Sequence, residues 1–517
     1  MNKKATMFFL LNSLDIHRGG VTKSSMMQAN LFAEQGYDTY LVTFNFNSRY
    51  EKIIKELNRL GKLDKRVKFM NLYQDLGGSN EEQPTPKEID TLKKIEEKNA
   101  ILDPHKGRNS YRVYTNGLYT TYLRYDDSNL IEFIDYFNEQ RYRTKREDYD
   151  EFGYLRKVSY MDFVNNKARQ MIFYRGNGNA YLSKWVNPDN GLATRVNYFN
   201  ANGELEKIFP NDVELKTYWL ETIISKHEYP VVVSDARAVD PIMLNLKNKQ
   251  VHKIWRLHSN HVGSPYDPNG EIEKTIKPCM DALDELDAVL VLTEEQKSDL
   301  EKRFGKRDII RVLPHFKDHF ADTGWFDKSE KDENLAVVVS RFAKLKRIDH
   351  IILAFSKVVD KFPEAKLELW GYGEEENNLK KLINEKKLTK NVEIKGFTHN
   401  PDELYNKALF SVLASKTEGF SLGILESMAN GTPVISYDIK YGPRDMILDN
   451  KTGLFAENGN IDQLAEKMIW MFDNRKAALK MGKKAAKSVK ERFNKEVYQE
   501  RWLQLISNNI EVKTTNK

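Results

Sequence analysis

Residues 415–433, SKTEGFSLGILESMANGTP, combine acidic side chains with a helix start in an arrangement that could bind a phosphate-containing ligand. Glu418 lies in a short polar loop, and Glu426 lies on a helix predicted to begin near Leu422. The free N–H groups at a helix start favour anions, phosphate above all. Two carboxylates placed before and within the helix could flank that phosphate and hydrogen-bond sugar hydroxyls. A solvated loop followed by a helix that Ser421 caps would explain the same residues equally well.

Two cations follow a predicted buried strand in the second half of the chain. The apolar run 334–340, NLAVVVS, precedes Arg341 and Lys346, which stand just before a predicted helix. The donor fork of Arg and the compact charge of Lys at a strand end are what binding a pyrophosphate requires. A solvated basic turn accounts for some cations of this segment, but poorly for all of them.

Glycines in two loops are predicted to let a ligand approach the backbone. Gly419 and Gly423 would leave room in the acidic loop. Near the N-terminus, Gly19 and Gly20 separate an apolar run typical of a parallel strand, at 5–11, from an amphipathic helix predicted to end at Gly36. That turn could bring N–H groups to a diphosphate. The G-x-G-x-x-G fingerprint is absent, however, and tight turning explains the glycine pair equally well.

A histidine lies at the carboxyl end of another predicted strand. His258 follows the run 254–257, and open parallel sheets bind ligands at the carboxyl ends of their strands. Its ring could bond a substrate hydroxyl or simply pack. His261 lies three residues further on, but no cysteine or third clustered ligand accompanies the pair, so no metal site is predicted.

Composition limits the classes of function. The chain has 517 residues, 40% of them apolar, which is enough for two or three domains with sizeable cores. A net charge of +6, from 81 basic and 75 acidic side chains, favours anionic partners weakly and does not indicate a nucleic-acid binder. A single cysteine, Cys279, excludes an intrachain disulfide and fits a reducing cytosol. We find no pattern of a signal peptide or a membrane span, and therefore expect a cytoplasmic protein.

The segment 79–209 differs from the rest of the chain. Aromatic and branched residues alternate with polar ones, and the runs are broken by Asn116-Gly117, Asn190-Gly191 and Asn202-Gly203. Such pairs are typical of two-residue hairpin turns. We predict an inserted antiparallel meander whose edges and tyrosines serve self-association or ligand contact, with a purely structural appendage as the alternative.

Outside this insertion, strands and helices alternate in two blocks, which predicts two doubly wound α/β domains with the ligand in a cleft. The predicted divisions are an N-terminal α/β domain from 1–78 and 210–316, the inserted sheet at 79–209, a second α/β domain at 317–494, and a C-terminal helix and tail at 495–517.

Several motifs carry a resemblance to a known family. SRFAKLKRID, the E-x7-E of Glu418 and Glu426, and NGTPVISYDIKYGP resemble the retaining glycosyltransferases of family 4. NSLDIHRGGVTKSS, the hairpin-rich insertion, RLHSNH and DIKYGPRDMI are similar to the wall teichoic acid glycosyltransferases of the TagE and TarM group. The resemblance implies a GT-B fold, an α/β fold of two facing Rossmann-like domains, with the antiparallel sheet inserted as an oligomerisation domain. It assigns the acceptor to the N-terminal domain and the nucleotide sugar to the second.

The resemblance also assigns roles around a UDP diphosphate. Arg341 and Lys346 match the pair that binds the diphosphate and offsets charge on the leaving group. Gly20, with Gly19 beside it, matches the loop at the same diphosphate. These four positions are therefore expected to hold the phosphates of the donor.

Further residues match positions around the two sugars of the donor. Glu426 matches the glutamate that holds the ribose, and Glu418 the one at the hydroxyls and reacting face of the transferred sugar. His258 matches the histidine near its C6 hydroxyl. Ser421 and Leu422, at the helix start, complete the expected donor-binding set. The expected catalytic residues are Glu418, Arg341, Lys346 and His258.

What the family does implies a mechanism without metal. Its members keep the anomeric configuration, and the β-phosphate can take the acceptor proton, so no dedicated base and no cofactor are expected. We expect UDP-glucose as donor and poly(glycerol phosphate), a polyanionic teichoic acid, as acceptor, because EGFSLGILE follows the general family loop. N-acetylglucosamine transfer to poly(ribitol phosphate), or a non-catalytic saccharide-binding scaffold, are the alternatives.

The assembly follows from the resemblance too. The inserted sheet matches the segment through which relatives form a homotrimer, which would suit a polymeric acceptor through avidity. Nucleic acid is not expected as a partner. Peripheral association with the inner face of the cell membrane is left open.

Overall fold

The computed structural model describes residues 5–16, 20–78, 100–267, 269–320 and 331–515. By its contacts the chain divides into two compact units, Met1–Lys253 and Ile254–Lys517. Gly19, the start of the predicted insertion and most of the polar run after residue 317 lie outside the described residues. The domain boundaries proposed from the sequence remain predictions.

The described part of the first unit contains fourteen strands and five α-helices. The strands are β1 (Thr6–Leu11), β2 (Asp38–Thr43), β3 (Lys68–Asn71), β4 (Ile101–Pro104), β5 (Ser110–Thr115), β6 (Leu118–Tyr125), β7 (Ile131–Phe137), β8 (Arg143–Tyr149), β9 (Leu155–Met161), β10 (Ala168–Tyr174), β11 (Ala180–Val186), β12 (Ala193–Phe199), β13 (Leu205–Phe209) and β14 (Pro230–Ser234). The helices are α1 (Val21–Glu34), α2 (Tyr50–Arg59), α3 (Leu72–Gly77), α4 (Asp212–Ile224) and α5 (Asp240–Leu244).

Four strands of the first unit run parallel in the order β14-β1-β2-β3. Every residue of β1 is buried, as its continuous apolar run predicts for a central parallel strand. Helix α1 follows and begins at Val21, directly after Gly20, whose φ of 57° is a conformation that favours glycine. The predicted strand–turn–helix unit is therefore confirmed.

The inserted segment forms a ten-stranded antiparallel meander, with β4 to β13 in sequence order. Asn116 and Gly117 join β5 to β6 with φ of 52° and 79°, the combination that a type I′ turn requires. The pairs Asn190-Gly191 and Asn202-Gly203 likewise lie between consecutive paired strands. The predicted hairpins are therefore confirmed at all three places.

The described part of the second unit contains nine strands and ten α-helices. The strands are β15 (His252–Arg256), β16 (Ala288–Val291), β17 (Ile310–Val312), β18 (Asp332–Val339), β19 (Lys366–Trp370), β20 (Val392–Gly396), β21 (Ala408–Leu413), β22 (Val434–Tyr437) and β23 (Gly453–Ala456). The helices are α6 (Lys277–Asp281), α7 (Glu294–Phe304), α8 (Ile348–Lys361), α9 (Glu376–Glu385), α10 (Pro401–Lys407), α11 (Leu422–Ala429), α12 (Pro443–Met446), α13 (Ile461–Asp473), α14 (Arg475–Arg492) and α15 (Lys495–Thr515).

Six of these strands form a parallel sheet in the order β20-β19-β18-β21-β22-β23. Numbered along the chain, this order is 3-2-1-4-5-6, the doubly wound arrangement of nucleotide-binding folds. The chain reverses its direction of progress between β18 and β21. In such sheets ligands bind at the carboxyl ends of the strands at that switch point.

Helix α11 is fixed by an apolar core on one side. Its residues Ile424, Leu425, Met428 and Ala429 are buried together with Val489 and Phe493, from α14 and the residue after it. Glu426 is only partly buried. The apolar face therefore holds the helix in place and leaves its opposite side available for polar contacts.

No helix in the described ranges is long and apolar enough to cross a membrane.

Candidate functional site

The predicted cations and the predicted catalytic carboxylate lie at the switch point of the six-stranded sheet. Arg341 follows β18, and Lys346 ends a 3-10 helix, Lys344–Lys346, just beyond it. Glu418 lies in the loop that follows the neighbouring strand, β21. Because the carboxyl ends of adjacent parallel strands meet at one edge of a sheet, the fold brings these residues together.

Lys346 and Glu418 are in direct contact. The Nζ atom of Lys346 lies 2.5 Å from Oε1 of Glu418, and the hydroxyl of Ser415 donates to the same oxygen at 2.7 Å. The backbone N–H of Lys416 donates to the carbonyl of Leu345 at 2.8 Å, which ties the two loops together. Both charged side chains are partly exposed, so the pair contributes about 1 kcal/mol or less to stability. Its main consequence is to orient the carboxylate.

Arg341 is exposed at the same edge of the sheet. Among the residues that the structure describes, its guanidinium makes no hydrogen bond or ion pair. Together, Arg341, Lys346 and Glu418 carry one net positive charge at this edge of the sheet, which suits a ligand with several phosphate oxygens.

The start of helix α11 differs from one of the predictions. Ser421 has φ of 73° and ψ of 88°, and its side chain makes no capping hydrogen bond to the helix. The alternative in which Ser421 caps a solvated helix is therefore wrong, because its left-handed backbone conformation does not direct the hydroxyl to the following N–H groups. The first turn, which begins at Leu422, also contains no acidic residue. Nothing in that turn competes with an anion for the helix start.

Gly419 does not leave the room for a ligand that the sequence suggested. A Cβ atom at this position would lie 2.0 Å from the carbonyl oxygen of His258, so the space is filled by backbone. At Gly423 a Cβ would lie 3.5 Å from the hydroxyl of Tyr405, an ordinary contact. The missing side chain of Gly419 instead allows the segment after β15 to lie directly on the Glu418 loop.

This contact brings His258 to the predicted site. Its ring stacks on that of His315, with centroids 5.4 Å apart, and His315 contacts Phe420 edge-on at 5.7 Å. Nearby, the side-chain amide of Asn260 donates to the hydroxyl of Thr417 at 3.2 Å. His258 as a residue is partly exposed, and its ring is held by packing.

His261 has a different environment. It is fully buried, and burial lowers its pKa to about 4, so the ring is neutral at physiological pH. No group of three potential metal ligands occurs in the part of the chain that the structure describes. Metal independence remains a prediction.

None of the contacts described above involves two further predicted residues, Gly20 and Glu426, in the part of the chain that the structure describes. Gly20 belongs to the first compact unit, where it precedes α1, and Gly19 lies outside the described residues. Glu426 lies one turn into α11. Burial raises the pKa of the Tyr405 hydroxyl, and the charges of Glu426 and Asp402 raise it further.

Two family models match the chain. One is described as glycosyl transferases group 1 and matches residues 323–488, which include the switch-point residues. The other is described as glycosyl transferase 1 domain A and matches residues 8–191, which include β1, α1 and most of the inserted sheet.

Two curated relatives match almost the whole chain. The poly(ribitol-phosphate) alpha-N-acetylglucosaminyltransferase of Staphylococcus aureus is 30% identical over 503 residues, covering 97% of this chain and 99% of the relative. The poly(glycerol-phosphate) alpha-glucosyltransferase of Bacillus subtilis is 30% identical over 519 residues, covering 98% of this chain and 75% of the relative. The chain belongs to the TagE and TarM group of group 1 glycosyltransferases.

Solved structures support this assignment of the glycosyltransferase. A crystal structure of TarM superimposes with a TM-score of 0.85 at 29% identity, covering 98% of this chain and 99% of that one. A TarM variant from S. aureus, in complex with fondaparinux, alpha-GlcNAc-glycerol and UDP, gives a TM-score of 0.84. The predicted GT-B fold with its inserted antiparallel sheet is thereby confirmed.

The sequence of this glycosyltransferase did not reveal all residues that shape the site. Ser415, which shares an oxygen of Glu418 with Lys346, carries no signal beyond its place in the loop. Tyr441 lies in the DIKYGPRDMI segment, whose resemblance to the family implies no role for this side chain. Asp299, on α7, contacts Tyr441 and has no sequence signal at all, because the contact joins positions 142 residues apart.

Proposed function

We propose that this glycosyltransferase moves a sugar from a UDP-sugar to the polyol-phosphate units of wall teichoic acid, with retention of the anomeric configuration. The observation that carries the proposal is the Lys346–Glu418 contact at the switch point of a doubly wound sheet, at the same sheet edge as the exposed Arg341. A nucleotide diphosphate needs cations there, and a transferred sugar needs a carboxylate close to them.

In this proposal Arg341 and Lys346 neutralise the charge that develops on the diphosphate as the sugar leaves. Lys346 can serve Glu418 and a phosphate oxygen together, because an ammonium group has three N–H donors. The acceptor hydroxyl attacks from the side of the leaving group, its proton passes to the β-phosphate, and the C1–O bond to UDP breaks. Positioning and charge stabilisation are then the main contributions of the protein.

Around these cations, Glu418 hydrogen-bonds hydroxyls of the transferred sugar, and His258 lies near its C6 hydroxyl. Glu426 holds the ribose, and the helix start at Ser421 and Leu422 faces the phosphates. We also propose that Gly19 and Gly20 contribute to binding of the diphosphate and that the transfer needs no metal.

For the donor and acceptor we propose glucose and poly(glycerol phosphate). The loop EGFSLGILE supports glucose because it keeps the general pattern of the family. The two curated relatives are equally similar at 30% identity and carry one specificity each. The alternative is N-acetylglucosamine onto poly(ribitol phosphate), the specificity in the name of the first relative.

We further propose that the protein works in the cytoplasm as a homotrimer, with peripheral contact to the inner face of the membrane. The inserted sheet offers two edge strands, β4 and β13, and exposes apolar side chains that a partner copy could cover. Among them, Val164 is 90%, Ile101 67% and Leu192 65% exposed. A trimer would present several sites to one polymeric acceptor.

The test is UDP release by the purified protein with UDP-glucose or UDP-N-acetylglucosamine against glycerol-phosphate or ribitol-phosphate polymers. We expect release only with UDP-glucose and the glycerol-phosphate polymer, and its loss in Glu418→Gln. Release only with the other pair would support the alternative specificity. Polymer binding without release in any combination would contradict an enzyme and support a scaffold.

The salt dependence of polymer binding tests the proposed polyanionic acceptor, and the molecular mass in solution tests the proposed homotrimer. We expect polymer affinity to fall as the salt concentration rises, because a polyanion bound by Lys and Arg releases its counterions. Light scattering is expected to give three times the mass of one chain. Affinity that is indifferent to salt, or a monomer, would contradict the corresponding part.

A further inference from the structure

A polar cluster in which Asp299 and Tyr441 are buried lies beside the donor site. It consists of Asp299 on α7 and of Lys440 and Tyr441, which follow β22, and we call these three residues the Tyr441 cluster. Oδ2 of Asp299 accepts from the Tyr441 hydroxyl at 2.9 Å and from Nζ of Lys440 at 2.8 Å. Lys440 also lies 3.3 Å from Glu295 on the same helix. The cluster thus ties the segment after β22 to α7.

The surroundings keep Asp299 ionised. Burial raises the pKa of Asp299, but the hydrogen bonds from Lys440 and Tyr441 lower it by more. The pKa of Asp299 is therefore below its ordinary value. Lys302 adds a cation 3.4 Å from the other carboxylate oxygen. The neutral, fully buried ring of His261 stacks on Tyr441, with centroids 5.9 Å apart. The hydroxyl of Tyr441 therefore has a fixed acceptor and a fixed ring position.

Tyr441 reaches the donor site through its backbone. Its N–H donates to the carbonyl oxygen of Glu418 at 3.3 Å. Next to it, Gly442 has φ of 97°, and a Cβ there would lie 2.1 Å from the carbonyl oxygen of Phe420. Two backbones in such close contact cannot shift independently. The position of Tyr441 thus determines that of the Glu418 loop on one side.

The other side of this loop is held by a separate segment. The backbone of His258 fills the space beside Gly419, and Asn260 donates to Thr417. The loop is therefore enclosed between two segments of backbone. On the side of Tyr441, the buried hydroxyl and Lys440 both connect the enclosing segment to Asp299 on α7, and Tyr441→Phe removes the buried one of these two contacts by deleting one oxygen atom.

We propose that Tyr441 is a positioning residue for Glu418. Asp299 anchors the Tyr441 hydroxyl, the Tyr441 backbone holds the Glu418 carbonyl, and the Glu418 carboxylate is thereby kept in register with Lys346. The proposal rests on the proposed function, because it assigns Glu418 to the transferred sugar. Loss of this anchor should affect the transition state more than binding of the nucleotide, since the anchor acts on Glu418, the carboxylate that is assigned to the transferred sugar.

The test compares two tyrosines in matched surroundings. Tyr149, in the inserted sheet, is also buried, donates to the carboxylate of Glu147 at 2.9 Å, and shares that carboxylate with Lys145. Tyr441→Phe and Tyr149→Phe therefore remove the same kind of hydrogen bond. We expect Tyr441→Phe to lower kcat about tenfold with the KM for the UDP-sugar within about twofold, because small misplacements of catalytic groups slow the chemical step. Tyr149→Phe should stay within about twofold in both.

Asp299→Ala and the double variant with Tyr441→Phe test the route. If Asp299 acts through Tyr441, the double variant should have the kcat of Asp299→Ala alone. If the losses in kcat of the two single variants multiplied in the double variant, Asp299 would not act through Tyr441. An unchanged kcat in Tyr441→Phe, a rise in KM alone, or equal losses in Tyr441→Phe and Tyr149→Phe would overturn the proposal.

Hydrogen exchange separates this inference from the proposed function. Amides of residues 415–420 should exchange faster in Tyr441→Phe than in wild type and Tyr149→Phe, whether or not transfer is detected. Faster exchange without any transfer by the wild-type protein would overturn the proposed function and keep the structural link. Unchanged exchange at 415–420 would overturn the link itself.

Discussion

The donor-site loops and the inserted sheet use glycine for different reasons. In the loops around the donor site, a Cβ would lie 1.9 to 2.3 Å from a backbone carbonyl oxygen at four glycines, Gly371, Gly373, Gly419 and Gly442. In the inserted sheet, a Cβ would meet nothing within 4 Å at five glycines, Gly107, Gly117, Gly178, Gly191 and Gly203. The first group is required by packing between distant segments, and the second by the local φ of a turn.

This difference separates what a substitution should do in each region. A side chain added at the donor site displaces a neighbouring loop and with it the groups that face the ligand. A side chain added in a hairpin strains one turn and leaves the rest of the molecule in place. A side chain added at the donor site should therefore lower the transfer activity. A side chain added in a hairpin turn should lower only the free energy of unfolding.

The largest effect is expected for Gly419→Ala. The added methyl group cannot coexist with the carbonyl oxygen of His258 at 2.0 Å, so the loop that carries Glu418 must shift. A displacement of about 1 Å at a catalytic group costs about 100-fold in rate. We expect kcat to fall by about that factor or more, measured as UDP release, while circular dichroism shows a folded protein. Activity near that of wild type would break the comparison.

The next effect concerns a buried polar group of the donor region. His261 is neutral when folded, with its pKa lowered by burial to about 4, whereas the unfolded chain binds a proton below pH 6.5. The contribution of neutral His261 to the free energy of unfolding is therefore fully present above pH 6.5. It is lost as the pH drops towards 4, and the total loss is on the order of 3 kcal/mol. When urea unfolding is measured at a series of pH values, the free energy of unfolding of His261→Phe should fall less between pH 6.5 and pH 4 than that of wild type. If the free energy of unfolding fell as steeply with pH in His261→Phe as in wild type, this role of His261 would be contradicted.

A smaller effect is expected in the sheet for Gly117→Ala. Alanine at φ of 79° is strained, and the cost should be about 1 to 2 kcal/mol in the free energy of unfolding. Gly117→Asn, the matched control, should lose less because asparagine tolerates this conformation. Neither variant should change kcat in the transfer assay. Reduced kcat with intact stability would show that the turn does more than connect two strands.

The smallest effect is expected for Gly423→Ala. This glycine lies in the donor region, but a Cβ there would make only an ordinary contact at 3.5 Å. Because alanine favours a helix over glycine by about 1 kcal/mol, thermal unfolding should show unchanged or slightly higher stability. If Gly423→Ala lost more than about 1 kcal/mol of stability, the donor region would tolerate no added side chain even where a Cβ makes only an ordinary contact.

The same contrast explains how much the sequence could predict. The strands, the three Asn-Gly hairpins and the meeting of Arg341, Lys346 and Glu418 at one sheet edge follow from local patterns combined with the rules for parallel sheets. Helix α1 also lies where expected, between the glycine turn and Gly36, and it begins at Val21, directly after Gly20.

What could not be predicted depends on contacts between distant segments. The room beside Gly419 is filled by backbone from residue 258, and no local pattern links the two positions. Ser421 is a good helix cap by residue type, yet its left-handed backbone conformation, which local preference does not favour, prevents capping. The bond between Asp299 and Tyr441 likewise exists only once the fold has formed.

The most direct test of the central claim is UDP binding, measured by calorimetry, for wild type, Arg341→Ala and Lys344→Ala. Lys344 is the matched control, an exposed cation in the neighbouring 3-10 helix without a predicted role. If the end of β18 binds the diphosphate, Arg341→Ala should weaken UDP binding about tenfold or more, and Lys344→Ala about twofold at most. Equal affinity in wild type and Arg341→Ala would contradict the claim that this site binds the donor.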